Sequence, residues 1–322
     1  MKRRPLGNSG MDLPELTLGT WLTFSTAHQD TANALVAAAF DAGIDAFDTA
    51  DVYGIGDGER ALATALRGHP RETYFIASKV FFPMSDAPED RGLSRAHILD
   101  SIDRSLGRLE TDHLNLYQCH RFDPDIPLEE TVQTLGELVL EGKIRAWGTS
   151  VWSAGELRQA TEVAESLGVA GPSSEQPRYN LLCQEPEDEI FPACSDLGLG
   201  TLTWSPLAQG FLTGKYQEKG PPPGRSRGSN LNPQGVFLIN ALDSAEAFGR
   251  VRALAAVATE AGITLPCLAL AWCLRRKDVT TVLLGASRVE QLVANLEAVE
   301  VDWTPELENA VSAAAAGPHI DL

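Results

Sequence analysis

Eight short apolar runs recur along this chain, separated by longer amphipathic stretches. That alternation restricts the fold more than any other feature. The runs lie at residues 16–18, 44–48, 74–78, 114–119, 146–150, 174–176, 201–205 and 282–284. Helical periodicity fills the intervals at 31–42, 95–109, 128–141 and 155–167. Strands separated by helices must pair in parallel, because a parallel neighbour requires a crossover connection. Dividing 322 residues eight ways leaves about forty per unit, the size of one strand–helix repeat of a (β/α)₈ TIM barrel.

Local signals support the helices. Asp30 or Thr31 could cap the first, and Ser94 precedes the third. Ser153 with Glu156 forms a capping-box pattern before the fifth, and Gly43, Gly142 and Gly168 occupy helix-stop positions. The competing doubly wound fold is disfavoured. Gly54, Gly56 and Gly58 are followed by Glu59, so no GxGxxG exists, and no GxxxxGK[ST] occurs. Residues 219–240, containing GPPPGRSRGSN, read as a loop and not as a domain linker, because the same patterning resumes on both sides. One domain over residues 1–322 is expected.

The net charge of −18 argues against a nucleic-acid partner. Five cysteines without a CxxC point to a reducing, cytoplasmic compartment with neither a disulfide frame nor a zinc site. The N-terminal MKRRPLGNSG has no apolar segment behind it, so a signal peptide is not expected. The chain also lacks the run of about eighteen apolar residues that a membrane span needs.

Polar residues end three successive strands: Asp48 after IDAF, Lys79 after YFIAS and His120 after LNLYQC. Tyr53 follows on the loop after the first of them. In a barrel these ends converge on one mouth. Their chemistry is coherent. A carbonyl that accepts hydride needs a proton, and a phenol retains its proton up to a pKa of about 10. An adjacent Lys79 ammonium should lower the Tyr53 pKa, with Asp48 keeping that lysine charged and oriented. His120 can fix the carbonyl oxygen, while hydride must come from a cofactor. Near the C-terminus, VLLGASRVEQLVANL passes from strand to helix. Amides around Gly285–Ser287, with Arg288, suit the 2′-phosphate of NADP(H). Trp204 could stack on a nicotinamide, and Trp21, Phe24, Phe82 and Trp152 could line a substrate pocket.

A metal-dependent barrel hydrolase using Asp45, Asp48, Asp51 and His120 fits less well. Asp45 and Asp48 alternate to opposite faces of one strand, and Lys79 would repel a divalent ion.

Together these motifs resemble the aldo-keto reductase superfamily almost from end to end. The phrases that carry the resemblance are LGTW, FDTADVYG, SKVFF, YQCHRFDP, WGTSVWS, SEQPRYN, TWSPLAQGFLTGKY and LLGASRVEQLVANL. DRGLSRAHI, PLEETV and LPCLALAWCL resemble the branch that holds potassium-channel β-subunits and bacterial glyceraldehyde 3-phosphate reductases. The resemblance implies a barrel with an extra C-terminal helix and long loops at its C-terminal face. It implies a catalytic set of Asp48, Tyr53, Lys79 and His120, with Tyr53 as acid in an NADP(H)-dependent reduction of aldehydes or ketones. Ser150 and Gln176 would bind the nicotinamide, with Trp204 stacked on it and Trp21 beside it. Ser205, Pro206, Leu207, Gly210 and Lys215 would line the pyrophosphate groove. Gly285, Ser287, Arg288, Gln291 and Asn295 would hold the adenosine end, with Arg225 or Arg227 closing over the cofactor. Ala294 departs from the acidic residue common in the branch. Channel β-subunits replace the histidine that this chain keeps at position 120. The implied partners are a small-molecule carbonyl substrate and further copies of the chain in a tetramer, with no membrane and no metal. The alternative implied function is a nicotinamide-binding regulatory or scaffold protein with slow turnover.

Overall fold

A computed structural model describes residues 1–216, 218 and 244–320. The predicted loop at 219–240, including Arg225 and Arg227, therefore lies outside the described residues.

The chain opens with an antiparallel hairpin, β1 (Arg3–Pro5) and β2 (Asp12–Pro14). Eight parallel strands follow: β3 (Leu16–Gly19), β4 (Ala46–Asp48), β5 (Phe75–Val80), β6 (Leu114–Cys119), β7 (Ile144–Thr149), β8 (Ser174–Glu175), β9 (Gly200–Thr203) and β10 (Thr281–Leu284). Each pairs with the next, and β10 returns to β3, so the sheet is a closed barrel without edges. All eight apolar runs of the sequence became its staves.

Helices α1 (Gln29–Asp41), α2 (Asp57–Leu66), α3 (Arg95–Leu109), α4 (Leu128–Leu140), α5 (Ala154–Leu167) and α6 (Ile190–Leu197) each connect one strand to the next. Between β9 and β10 the described residues include the helices α7 (Ala245–Glu260) and α8 (Leu265–Leu274). After β10 come α9 (Val289–Leu296) and the extra C-terminal helix α10 (Pro305–Ala315), which packs against α7. Among the described residues no single helix is long and apolar enough to cross a membrane. Only α7 and α8 together reach that length, and they meet at 90°.

Ser94 caps α3, and Ser153 with Glu156 forms the capping box of α5. The start of α1 differs from expectation. A 3₁₀ turn (Thr26–His28) feeds directly into it, with His28 at the cap position and no side-chain cap. Thr26 instead bonds Asp57 on α2 through its amide (3.0 Å) and hydroxyl (2.7 Å), so a tertiary contact decides the entry.

Two apolar layers hold the fold. The outer one lies between the sheet and the helices. The inner one fills the barrel with Ala46, Phe75, Ala77, Leu116, Ala146, Leu202 and Leu283. Leu6 and Leu13 from the hairpin join it and close the N-terminal end. Arg3 pins that plug to Asp45 at 2.8 Å. Functional groups are thus confined to the opposite, C-terminal end. Close approach of staves is visible at Gly148 on β7. A β-carbon there would meet Ser174 Oγ at 2.2 Å and the Ser174 carbonyl at 2.9 Å.

A buried polar lattice ties the loop after β4 to the outer layer. Asp51 accepts from the Val52 amide (2.6 Å) and Ser101 Oγ on α3 (2.9 Å). Glu59 on α2 accepts from Ser78 on β5 and Arg108 on α3, both at 2.6 Å. Burial, and then the neighbouring Glu59 charge, push the Asp51 carboxyl up to about 7.

Two measurements test this packing. Gly148→Ala should cost about 1–3 kcal/mol, the scale of overpacking, read as a lowered urea midpoint. Asp51 should make stability pH-dependent. Between the ordinary carboxylate range and about 7 the native state keeps a proton that the unfolded chain has lost. Stability should therefore fall as pH rises through that window and level off above it. Asp51→Asn should flatten the decline in a series of urea midpoints across the same pH range.

Candidate active site

Strand alternation aims the site residues. Positions 46 on β4, 75 and 77 on β5, and 116 on β6 face the barrel interior. The same parity carries Asp48, Lys79, Gln118 and His120 inward at the C-terminal end. Register places Asp48 opposite Ala77, and Lys79 opposite Gln118.

Lys79 is fully buried. Its ammonium donates to Asp48 Oδ1 (2.6 Å), the Thr49 carbonyl (2.8 Å) and Tyr53 Oη (3.2 Å). All three N–H donors are thereby used. Burial alone would lower the lysine pKa, but Asp48 and Tyr53 together raise it, so the ammonium stays charged.

The loop after β4 turns through Gly54, Ile55 and Gly56, all at positive φ, and enters α2 at Asp57. Gly58 gives Tyr53 room, because a β-carbon there would sit 3.2 Å from Tyr53 Cβ. The Tyr53 pKa moves opposite to the sequence expectation. Burial raises it, Lys79 lowers it and Asp48 raises it again, leaving it above the usual phenol value. Asp48 partly screens the lysine field, so the phenol of the free protein stays firmly protonated.

Burial, then Lys79 and Arg121, hold His120 well below the usual imidazole range. It is neutral at pH 7, and its buried Nδ1 has no partner among the described residues. The Tyr53 and His120 ring centroids are 5.9 Å apart. The four predicted catalytic residues thus meet at one mouth.

Trp21 lies 6.4 Å from the Tyr53 ring, and Phe82 packs edge-on to His120 at 4.8 Å. These two border the mouth. The two other predicted pocket aromatics are buried. Phe24 is 5% exposed within the outer core. Trp152 is 2% exposed and packs edge-on against Phe122. Their apolar surface is worth more between helices and sheet than at a wet opening.

The predicted cofactor residues lie along the adjacent strands β7, β8, β9 and β10. Ser150 follows β7, and its hydroxyl donates to the Gln176 carbonyl at 3.0 Å. Gln176 donates to Asp48 Oδ2 at 2.9 Å, which links this rim to the catalytic pair. Trp204 follows β9, and its buried indole N–H has no partner among the described residues. Ser205, Ala208, Gln209 and Gly210 all take positive φ, so the backbone doubles back tightly around Pro206 and Leu207. Lys215 Nζ lies where a β-carbon on Gly210 would come within 2.7 Å. At the last rim position, Gly285, Ser287, Arg288 and Gln291 are exposed, whereas Asn295 is buried. Arg288 is the N-cap residue of α9. Ser287 donates from its amide (2.9 Å) and hydroxyl (3.0 Å) to Gln291 Oε1, so those groups satisfy each other. Amide-binding groups, a tight loop with a lysine, and an exposed arginine at a helix start follow one another around the rim. That order of chemistry fits a dinucleotide's amide, diphosphate and phosphorylated adenosine ends.

Sequence reasoning missed three residues. Gln118 Nε2 lies 3.4 Å from Asp48 Oδ2, and Gln176 Nε2 lies 3.3 Å from Gln118 Oε1. Glu175 is fully buried and accepts from Thr149 Oγ1 (2.5 Å) and the Val151 amide (2.6 Å). It thereby holds Val151 at positive φ beside Ser150. Burial raises the Glu175 carboxyl to about 7. Arg121 lies half-buried beside His120. The inward parity of Gln118 could have revealed it; the other two left no periodic signal.

The hydrolase alternative finds no support. Asp45 pairs with Arg3, Asp51 faces Ser101, and Asp48 bonds an ammonium. Cys183, Glu185 and His319 bring three possible ligand atoms within 4.8 Å. However, His319 Nε2 faces the Arg178 guanidinium at 3.3 Å, which opposes a cation there.

Comparison with known proteins agrees with this geometry. Residues 15–315 match the profile of the Aldo/keto reductase family. A probable voltage-gated potassium channel subunit beta of Oryza sativa subsp. japonica is 38% identical over 319 residues, covering 97% of this chain and 96% of that protein. A putative subunit beta of Schizosaccharomyces pombe is 38% identical, covering 94% and 90% respectively. A probable subunit beta of Arabidopsis thaliana is 37% identical, covering 94% and 92%. The chain therefore belongs to the aldo/keto reductase family, whose chemistry is NAD(P)H-dependent oxidoreduction.

Proposed function

We propose that this protein reduces aldehydes or ketones to alcohols with NADPH, with Tyr53 as the proton donor. The observation that carries this reading is the Lys79–Tyr53 hydrogen bond. The ammonium donates to the phenol oxygen, so the phenolic hydrogen is left to point away from the lysine. A carbonyl oxygen in the mouth can accept it. Neutral His120 donates to the same oxygen without competing as an acid.

NADPH, when bound, would supply the hydride that the carbonyl carbon accepts. As the C=O π electrons move onto oxygen, the Tyr53 O–H breaks and its proton passes to that oxygen. The phenolate left behind faces Lys79, whose charge is then stabilising. The Lys79 field therefore counts most after transfer, which is consistent with a resting phenol whose pKa is not lowered. Ser150, Gln176 and Trp204 would hold the amide end, and Lys215 and Arg288 the phosphates. The five buried free thiols support a reducing, cytoplasmic location.

The names of the relatives favour a second reading, a nicotinamide-binding regulatory subunit with slow turnover. Slow release of NADP⁺ from a protein that purifies with it would mark that case.

Two substitutions test the reductase reading. Tyr53→Phe should retain NADPH affinity but lose about two or more orders of magnitude in turnover across a panel of carbonyl compounds. Near-normal reduction by this variant would refute the acid assignment. Arg288→Ala should raise Kd for NADPH far more than for NADH in fluorescence titrations; equal effects would remove the phosphate argument.

A further inference from the structure

Away from the mouth, the outer wall of the barrel gathers more guanidiniums than its packing uses. A groove of about 670 Å³ lies between α2 and α3. Arg60, Thr64 and Arg67 line it from the α2 side, and Arg104, Gly107 and Arg108 from α3. Both sets follow the three- and four-residue spacing of a single helix face, so the two helices turn basic stripes toward each other. Among the described residues Glu110 is the one carboxylate in the lining. Four arginines against one acid make a local positive excess on a chain whose net charge is −18.

Ordinary helix electrostatics do not account for it. A cation is favoured in the last turn of a helix, which covers Arg67 and Arg108. Arg60 instead falls within the first four residues of α2, the end that disfavours positive charge. It is exposed, and it has no ion-pair partner among the described residues. Arg104 and Arg108 stand four residues apart on α3, a like-charge spacing that weakens a helix. The end of α3 also reverses the usual placement of glycine. A β-carbon on Gly107 would meet nothing within 4 Å, so packing does not demand a glycine there. Glu110, which ends the helix, takes φ 53, the left-handed position where glycine is usual. Both its carboxylate oxygens accept from Arg67, but each partner is more than half exposed, and such a bridge is weakly held.

Arg108 is the fixed member of the set. Its stem crosses Gly56, where a β-carbon would come within 2.5 Å of Arg108 Cδ. Its Nε donates to Glu59 at 2.6 Å and one terminal nitrogen donates to Ser105 Oγ at 3.0 Å. The other terminal nitrogen has no acceptor among the described residues. A pre-organised guanidinium with unspent donors therefore stands in the groove wall.

We propose that this groove binds the phosphate chain of a small polyphosphate, at a site separate from the barrel mouth. Planar guanidinium forks match phosphate oxygens in pairs. The volume suits a compact ligand. Among the described residues no aliphatic or aromatic side chain lines the groove, so recognition rests on the phosphates. Free tripolyphosphate and the tail of a nucleoside triphosphate carry the same chain.

Isothermal titration calorimetry of the intact protein in excess NADP⁺, which keeps the probe out of the cofactor groove, tests the proposal. Sodium tripolyphosphate should bind saturably at one site per chain. Arg60→Ala, which breaks no ion pair among the described residues, should weaken binding about tenfold, the scale of one charge-assisted hydrogen bond. Gly107→Glu brings a carboxylate into open space and should abolish binding, with the circular dichroism spectrum and urea midpoint showing an intact fold. Lys277→Ala removes the same charge from an exposed position elsewhere and should leave the affinity unchanged. Equal affinity for ATP would admit a nucleotide as the source of the chain; much weaker binding of ATP would limit it to free polyphosphate. The proposal is overturned if wild type shows no saturable binding, if Arg60→Ala and Gly107→Glu leave binding unmoved, or if Lys277→Ala weakens it as much as Arg60→Ala. None of these readouts depends on carbonyl reduction.

Discussion

An ammonium held in a dry place is the constraint around which this site is built. Removing Lys79 from water is expensive, and a lone buried lysine would shed its proton. Here the cost is offset by a carboxylate at 2.6 Å, a backbone carbonyl at 2.8 Å and a phenol oxygen at 3.2 Å. These partners come from β4 and the loop that follows it, while the lysine comes from β5. The contact therefore binds two staves and a loop as it fixes the acid. Asp48 has a second role, because its other oxygen accepts from Gln176 and lies near Gln118. The carboxylate becomes the node where the Tyr53 side of the mouth meets the Ser150 and Gln176 side.

That node needs a closed barrel with one sealed end. Leu6 and Leu13 fill the N-terminal opening, and small residues such as Ala46, Ala77 and Ala146 keep the interior packed. Charged inward side chains stand at the C-terminal end, as Asp48 and Lys79 do. Structural charges are kept elsewhere. Arg3 meets Asp45 at the plug, and Glu59 and Arg108 join α2 to α3.

The backbone carries part of the work as well. Val151, Ser205, Ala208 and Gln209 take left-handed conformations without being glycine, and Val151 and Ser205 adjoin groups assigned to the cofactor. Such conformations persist only where the surroundings determine them. The Glu175 carboxylate does so for Val151, and the Asn180 side chain, donating to the Ser205 carbonyl at 3.0 Å, contributes to the other turn.

Much of this was legible in the amino-acid order. The eight staves followed from apolar runs, α3 from its Ser94 cap, and the meeting of Asp48, Tyr53, Lys79 and His120 from polar residues ending three neighbouring strands. These are short-range signals, set by periodicity and capping, and one chain segment suffices to display them. The N-terminal hairpin, the entry into α1 and the inward burial of Phe24 and Trp152 were not visible, because each depends on a surface offered by a remote segment. The direction of the Tyr53 pKa belongs to the same class. The sequence determined which groups reach the mouth; tertiary structure decided their balance of charge, since burial and the field of Asp48 exist only once the barrel has closed and excluded water.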